Sequence, residues 1–132
     1  MGILSNIQIA LDSRLNTLSG LPDVAWPNVK YTPDKGTIYI RPTLLPAEST
    51  SATFAGKDRH SGIYQIDIFA PLDEGLKPMY DLADAIRDHF HKQTLTAGGD
   101  TIYIDVGNLA NYSRDDSWFI GIVEINYFSI EE

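Results

Sequence analysis

The sequence predicts an α+β fold in which two helices cover one face of a single sheet. Segments with helical and strand periodicity follow one another in the order α-β-β-α-β-β. Strands that are neighbours in the sequence are joined by loops rather than crossover helices, which favours a mainly antiparallel sheet of about four strands. Both helices have one apolar face, so both can pack in one layer against the sheet. At 132 residues the chain is expected to form one domain, residues 1–132.

The first helix is predicted from apolar residues spaced as on one face of an α-helix. This stripe consists of Ile7, Leu11, Leu15 and Leu18. Ser5 followed by Gln8 matches a capping box, which predicts where the helix begins. Gly20 and Pro22 are expected to end it.

Two strands are predicted in the first half of the chain, at 37–46 and 62–70, from their β-branched and aromatic content. Residues 21–36 precede them as a proline-rich connector. Pro42 indicates an edge position or a bulge, because proline cannot donate a hydrogen bond to a neighbouring strand. The polar residues 46–61 lack any period and predict a long loop or the tip of a hairpin.

A second helix and two further strands are predicted in the second half. Asp73 and Glu74 mark the expected helix start, where acidic side chains suit the helix dipole. Its apolar stripe consists of Met79, Ala83, Ile86 and Phe90. The strands are expected at 101–106 and 118–130, with residues 107–117 as the loop between them.

The predicted strands have apolar residues on both faces, although the helices can cover only one. The residues expected on the second face are Ile63, Phe69, Trp118, Ile120 and Ile122. Tyr39 and Tyr103 are expected to join them. Either another subunit covers this face, or the connector with Trp26 does so within the chain.

The charge and composition argue against several classes of partner. The net charge of −8 opposes binding to nucleic acid, which depends on Lys and Arg contacts with phosphates. No apolar run reaches the ~18 residues of a membrane span. The sequence contains no cysteine, so it offers no thiol nucleophile or cysteine-based metal site.

No set of residues in the sequence indicates an active site. The "FAGKD" segment lacks the first Gly and the Ser or Thr of a phosphate-binding P-loop. His89 and His91 lie two residues apart on the predicted helix, pointing in different directions, so helix-end charge explains them better than a shared metal. We therefore expect no enzyme activity, no cofactor and no metal.

Four segments together resemble the phage tail terminator-like family of long-tailed phages and prophages. They are "IYIRPTLLPAE" (38–48), "GIYQIDIFAP" (62–71), "DLADAIRDHF" (81–90) and "WFIGIVEINYF" (118–128). The preceding "LPDVAWPNVKYTP" (21–33) also resembles the family's approach to its first strand. This similarity covers nearly the whole chain and contains no catalytic signature.

The resemblance implies a structural virion protein that forms a ring, a hexamer, on the head-proximal end of the tail tube. Such a ring stops tube polymerisation and joins the tube to the head. The implied partners are other copies of the chain, the tail tube protein and the head connector or completion protein. DNA would only pass through the lumen, which an acidic wall would suit because it repels phosphates. The implied location is the virion tail, after assembly in the host cytoplasm and without a membrane.

A ring requires two different patches that meet between neighbouring subunits. One patch is expected on the second sheet face. Phe54, Lys57 and Arg59, in the polar segment 46–61, are expected to reach a neighbouring subunit or the tail tube.

Two other functions remain open at the level of sequence. A head–tail completion (neck) protein would also be a small acidic ring former. A small-molecule-binding module would use the sheet and the long loop as a pocket.

Overall fold

The computed structural model describes residues 2–47, 49–51 and 58–130. Two helices and seven strands occur in the described chain, and the predicted α+β class is confirmed. In chain order the elements are α1 (Ile3–Asn16), β1 (Asp23–Val24), β2 (Tyr39–Pro46), β3 (Thr50–Ser51), β4 (Asp58–Ala70), α2 (Lys77–Phe90), β5 (Thr94–Ala97), β6 (Asp100–Arg114) and β7 (Phe119–Ile130).

The sheet is larger than the sequence predicts. Six strands lie in the order β1-β2-β4-β7-β6-β5, and β3 pairs with β4 beside this path. The four predicted strands are β2, β4, β6 and β7, which pair antiparallel with their neighbours. The expectation of about four strands is corrected by β1, β3 and β5, and β1 pairs parallel with β2, which makes the sheet mixed. Each added strand has only two to four residues, too few for periodicity to reveal.

Both helices contribute to one hydrophobic core against the same sheet face, as predicted. The predicted stripe residues are buried except Leu18, which lies just beyond α1 and packs partly against the core. From the sheet, the helix-facing side chains are alternate residues of the long strands, among them Tyr64, Ile66, Ile68, Val123 and Ile125. A Cβ added to Gly121 would lie 2.5 Å from the Met79 sulfur, so a glycine at this position allows α2 to approach β7 closely.

Both helix starts differ from the predicted positions. Helix α1 begins at Ile3 with Gly2 as its N-cap, and no side chain caps it. The capping-box prediction was therefore wrong: Ser5 lies inside the helix, and Gln8 donates to Asp12 instead. Helix α2 begins at Lys77 rather than near Asp73, because Asp73 has a φ of +64° that no helix accommodates.

Two predicted loops are partly strand. Strand β4 begins at Asp58, so the segment that was expected to be a loop through residue 61 ends earlier. Strand β6 continues to Arg114, through most of the segment 107–117. Its pairing with β7 shifts register twice, at Ile104/Gly107 and Leu109/Asn111, as occurs at β-bulges.

Pro42 occupies the edge position that its chemistry requires. Strand β1 pairs with β2 only at Tyr39 and Ile40, so β2 has no strand on its outer side at Pro42 among the described residues.

Candidate interaction surface

The second face of the sheet points away from both helices and divides into three zones along the strands. Cross-strand pairs define the zones: Phe69 lies opposite Ile120, Asp67 opposite Ile122, and Ile63 opposite Asn126. Strand β2 extends these rows, with Tyr39, Arg41 and Leu45 opposite residues of β4.

The first zone is an aromatic cluster formed by Tyr39, Phe69 and Trp118. Tyr39 stacks on Phe69 with ring centroids 4.5 Å apart, and Trp118 meets Tyr39 edge-on at 5.1 Å. The connector residues Ala25 and Tyr31 pack over the cluster. Phe69 and Trp118, both predicted to lie at a subunit interface, are thereby only 7% and 8% exposed in the single chain.

The connector covers only this end of the second face. Trp26, which was expected to provide the cover, instead packs against the main core. Ile120 borders the aromatic cluster and is half-buried.

A turn at Asp115 positions Trp118 in the cluster. One carboxylate oxygen of Asp115 accepts backbone hydrogen bonds from Ser117 at 2.7 Å and Trp118 at 2.6 Å. These two hydrogen bonds lower the pKa of the Asp115 carboxyl. Asp and Ser are both typical of such turns, because their side chains can hydrogen-bond to the nearby backbone.

The middle zone is polar. Asp67 is 8% exposed and accepts hydrogen bonds from Gln65 at 2.9 Å and from Arg41 at 3.5 Å. The Arg41 guanidinium also lies 4.9 Å from the Phe69 ring centroid, so it links this zone to the aromatic cluster. The predicted interface residue Ile122 is half-buried opposite Asp67.

The third zone is a partly exposed, mainly apolar surface at the other end of the strands. We call it the distal patch, and it consists of Leu45, Arg59, Ile63, Tyr103 and Phe128. The Arg59 guanidinium lies 4.1 Å from the Phe128 ring centroid, and Tyr103 stacks on the same ring at 5.0 Å. Leu45 and Tyr103 are 43% and 39% exposed. The other three members, Arg59, Ile63 and Phe128, are half-buried.

The predicted interface residues are thus separated by the structure. Phe69, Trp118 and Ile120 lie together at the covered end, Ile122 lies in the middle, and Ile63 and Arg59 lie in the distal patch. Phe54 and Lys57 fall outside the described residues. Leu45 and Phe128 were not among the predicted site residues, although both follow the two-residue period of their strands.

A separate groove lies between α1 and the connector. It has a volume of about 630 Å³ and is lined by residues that include Gln8, Asp12, Trp26 and Val29. The Asp12 carboxylate is already bound by two donors of the chain, since Gln8 and the hydroxyl of the buried Tyr64 both donate to it. Burial, followed by the hydrogen bond to Asp12, raises the pKa of Tyr64. The groove therefore offers no free carboxylate at Asp12 to direct a ligand.

The described residues contain no cluster of His, Cys, Asp or Glu that could hold a metal ion. In the same part of the chain, no helix is long and apolar enough to cross a membrane. The most prominent features are instead a mixed sheet with one face packed on helices and an open apolar patch on the other. Together they define a small α+β module with a partly exposed apolar patch on one sheet face.

The chain belongs to a family of phage tail terminator proteins. The family model described as phage tail terminator protein matches residues 6–127, nearly the whole chain, which confirms the resemblance. The family is structural and non-enzymatic, so the chain is a structural protein of the phage tail.

The solved structures add agreement in fold. One structure, whose name states no function, matches with a TM-score of 0.71 and 21% identity, over 98% of this chain and 94% of that chain. No curated protein gives a significant sequence match.

Proposed function

We propose that the protein forms a hexameric ring that caps the phage tail tube, stops its polymerisation and joins it to the head connector. The family match over residues 6–127 carries this proposal. In the proposed assembly the partners are other copies of the chain, the tail tube protein and the head connector or completion protein. The ring would assemble in the host cytoplasm and remain in the virion tail.

The distal patch supports a role in assembly. Burial of one large, fully exposed apolar side chain contributes roughly 1.5–3 kcal/mol, so the exposed Leu45 and the half-buried Ile63 and Phe128 favour contact with another protein. The predicted loop residues Phe54 and Lys57 adjoin β4 in sequence, and Arg59 lies in the patch itself. We assign this end of the second face to the contact with a neighbouring subunit or the tail tube.

The other predicted interface residues receive a more specific role in this proposal. Ile122 and Ile120 would extend the contact along the second face, because both are half-buried there. Phe69 and Trp118 would support the surface from below, since the connector already covers them.

The net charge of −8 supports a ring through which DNA passes without being bound. Acidic walls repel phosphates and so keep the passing DNA from adhering. The wall of the lumen would therefore repel the passing DNA rather than bind it.

Deletion of the gene in its parent phage or prophage tests the proposal by negative-stain electron microscopy of the induced lysate. We expect tails that are overlong or scattered in length and that lack heads. Complementation with the wild-type gene should restore uniform, head-bearing tails. Normal tail length beside DNA-filled, tailless heads would instead indicate a neck protein, and intact infectious particles would overturn both functions.

A further inference from the structure

The outer edge of β6 has hydrogen-bond partners near the start of the strand but no neighbouring strand along residues 108–114, as far as the structure describes the chain. Near its start, backbone groups are bound by the segment after α2: Ile104 donates to Gln93 at 2.8 Å, and Lys92 donates to Asp105 at 3.3 Å. The Arg87 side chain then donates to the Gly107 carbonyl at 2.8 Å. From residue 108 to 114, β6 pairs with β7 on one side, and no described strand lies on its other side.

The opposite edge of the sheet is protected against pairing. The Ile40 carbonyl faces outward, because it accepts a hydrogen bond from Ala25 at 2.8 Å. In a regular antiparallel strand, alternate residues direct their backbone groups to the same side, so Pro42, Leu44 and Pro46 also face outward. Two of these three residues have no N–H to donate, and proline is a common means of blocking an edge strand.

The β6 edge lacks protection by proline, although the pairing irregularity at Leu109/Asn111 lies within it. Residues 108–114 contain neither proline nor lysine, and every residue except the half-buried Leu109 is exposed. Unpaired backbone groups along such an edge are a template for an added strand. The chemistry of the edge therefore specifies an extended peptide segment as its partner.

The charge distribution indicates which half of a second copy of the chain suits the β6 edge. Residues 1–72 contain six Lys or Arg and six Asp or Glu, whereas residues 73–132 contain four and twelve. The whole net charge of −8 thus belongs to the half that contains α2 and β6, where Asp81, Asp84 and Asp88 of α2 are exposed. Symmetrical pairing of β6 with β6 would bring two acidic halves together, which is unfavourable.

The other half of the chain is a better match. Lys30 and Lys35 are exposed in the connector, and the Arg41 side chain is 52% exposed on β2. Contact between unlike halves is also what a closed ring requires.

We propose that the β6 edge, residues 108–114, receives an extended segment from the neutral half, residues 1–72, of a second copy of the chain. This inference rests on the proposed ring and deepens it by naming the two surfaces that meet. The β6 edge would thus be a contact surface separate from the distal patch. The distal patch lies on a face of the sheet, whereas the β6 edge lies at its margin.

Site-specific photocrosslinking on assembled tails tests the proposal. Ser113, exposed on β6, is replaced by p-benzoylphenylalanine, and the protein is added to tail tubes from the deletion strain and irradiated. We expect a crosslink to a peptide within residues 1–72 of another copy, identified by mass spectrometry. The same replacement at Ala85, exposed on α2 and outside both proposed surfaces, is the control and should give no such crosslink.

Crosslinks only to the tube protein, or to β6 of the second copy, would overturn the inference while leaving the ring intact. Failure of the unmodified protein to associate with tubes would overturn the proposed function as well. Hydrogen exchange of the unmodified protein gives a second readout that no substitution disturbs. The amides of residues 108–114 should exchange more slowly on tubes than in the free chain, and unchanged exchange in a tube-bound ring would contradict the inference.

Discussion

Arg14 and His89 each bind the main chain of the other and thereby join the C-terminal ends of the two helices. The Arg14 guanidinium donates to the His89 carbonyl at 3.0 and 2.6 Å, while the His89 ring nitrogen Nε2 lies 2.8 Å from the Arg14 carbonyl. Since a carbonyl only accepts, Nε2 carries the proton in this arrangement. The carbonyls at the last turn of a helix lack a regular partner within the helix, and Arg14 supplies a donor to the one at His89. The Arg14 carbonyl also accepts from the backbone N–H and the hydroxyl of Thr17, at 3.1 and 2.7 Å.

Arg14→Ala should lower the free energy of unfolding by roughly 1–3 kcal/mol, because it leaves the part-buried His89 carbonyl without its side-chain donor. His89→Ala should cost less, because the Arg14 carbonyl still accepts hydrogen bonds from the Thr17 hydroxyl and backbone N–H. Urea denaturation monitored by circular dichroism measures the loss. His91→Ala, at an exposed position just beyond α2, is the control and should have little effect. The double variant should lose less than the sum of the two, and strict additivity would show that the two residues act independently.

The Arg14–His89 pair illustrates what the sequence could and could not predict. A positive charge at the end of α2 was predicted from the helix dipole, and His89 does lie in the last turn. Its partner 75 residues earlier could not be predicted, because only the packing of the two helices brings them together. Local signals thus identified the element but not its long-range contact.

The same division applies to the sheet. The two-residue period correctly assigned Ile63, Ile120 and Ile122 to the second face, which points away from the helices. Residues 107–114 were predicted as loop because Asn, Gly and Ser favour turns, yet the apolar strand β7 pairs with most of them. For the candidate site, the sequence predicted the sheet face to which each side chain points. It could not predict that Ala25 and Tyr31 cover Phe69 and Trp118, because this depends on the path of the connector.

Gly98→Ala should destabilise the protein more than Gly99→Ala, although both glycines form the turn between β5 and β6. Both have positive φ, +58° and +88°, so an alanine at either should cost about 1–2 kcal/mol in backbone strain. Of these two glycines, only Gly98 would place the added Cβ against another residue, where it would overlap the Oδ1 of the buried Asn6. That overlap should cost about 1–3 kcal/mol more. Equal losses in urea denaturation would show that Asn6 moves aside freely.

The protein should lose stability in alkaline solution, and Tyr64 should account for part of the loss. Its pKa is raised by burial and by its hydrogen bond to Asp12, so the folded state retains the proton that the unfolded state releases above about pH 10. The contribution is complete below that pH and is lost as the pH rises through the range between the unfolded and folded pKa values. The loss for one such group is about 1.4 kcal/mol per pH unit.

Tyr64→Phe checks this pH dependence. At neutral pH it should lower the free energy of unfolding by about 1–2 kcal/mol, because Asp12 loses a hydrogen bond. Above about pH 10 its stability should fall less steeply than that of the wild type, although Tyr39 and Tyr127, whose pKa values are also raised by burial, retain their share. Urea denaturation across this range measures both slopes, and parallel slopes would contradict the role of Tyr64.

Replacement of Phe54, Lys57 and Arg59 together by Ala should weaken assembly on tail tubes without unfolding the chain. Arg59 stacks on Phe128 in the distal patch, and the other two residues adjoin β4 in the sequence. Pelleting of the protein with purified tubes measures assembly, and circular dichroism confirms folding. Lys77→Ala, at an exposed site on α2, should bind as the wild type does. Unchanged binding of the triple variant would remove this segment from the interface.

Ile122→Asp should give a folded protein that cannot assemble. The side chain is half-buried on the second face opposite Asp67, so the added carboxylate would remain near water in the free subunit. In an assembled contact it would be a buried charge beside a second carboxylate, which is strongly unfavourable. Circular dichroism and tube pelleting distinguish folding from assembly.

Ile9→Asp provides the matched control, because Ile9 is an isoleucine that is 45% exposed on α1, in the helix layer on the other side of the sheet. It should fold and assemble as the wild type does. An Ile122→Asp chain that unfolds would show that Ile122 belongs to the core of the subunit. A folded variant that still assembles would place the contact elsewhere and exclude the middle of the second face from it.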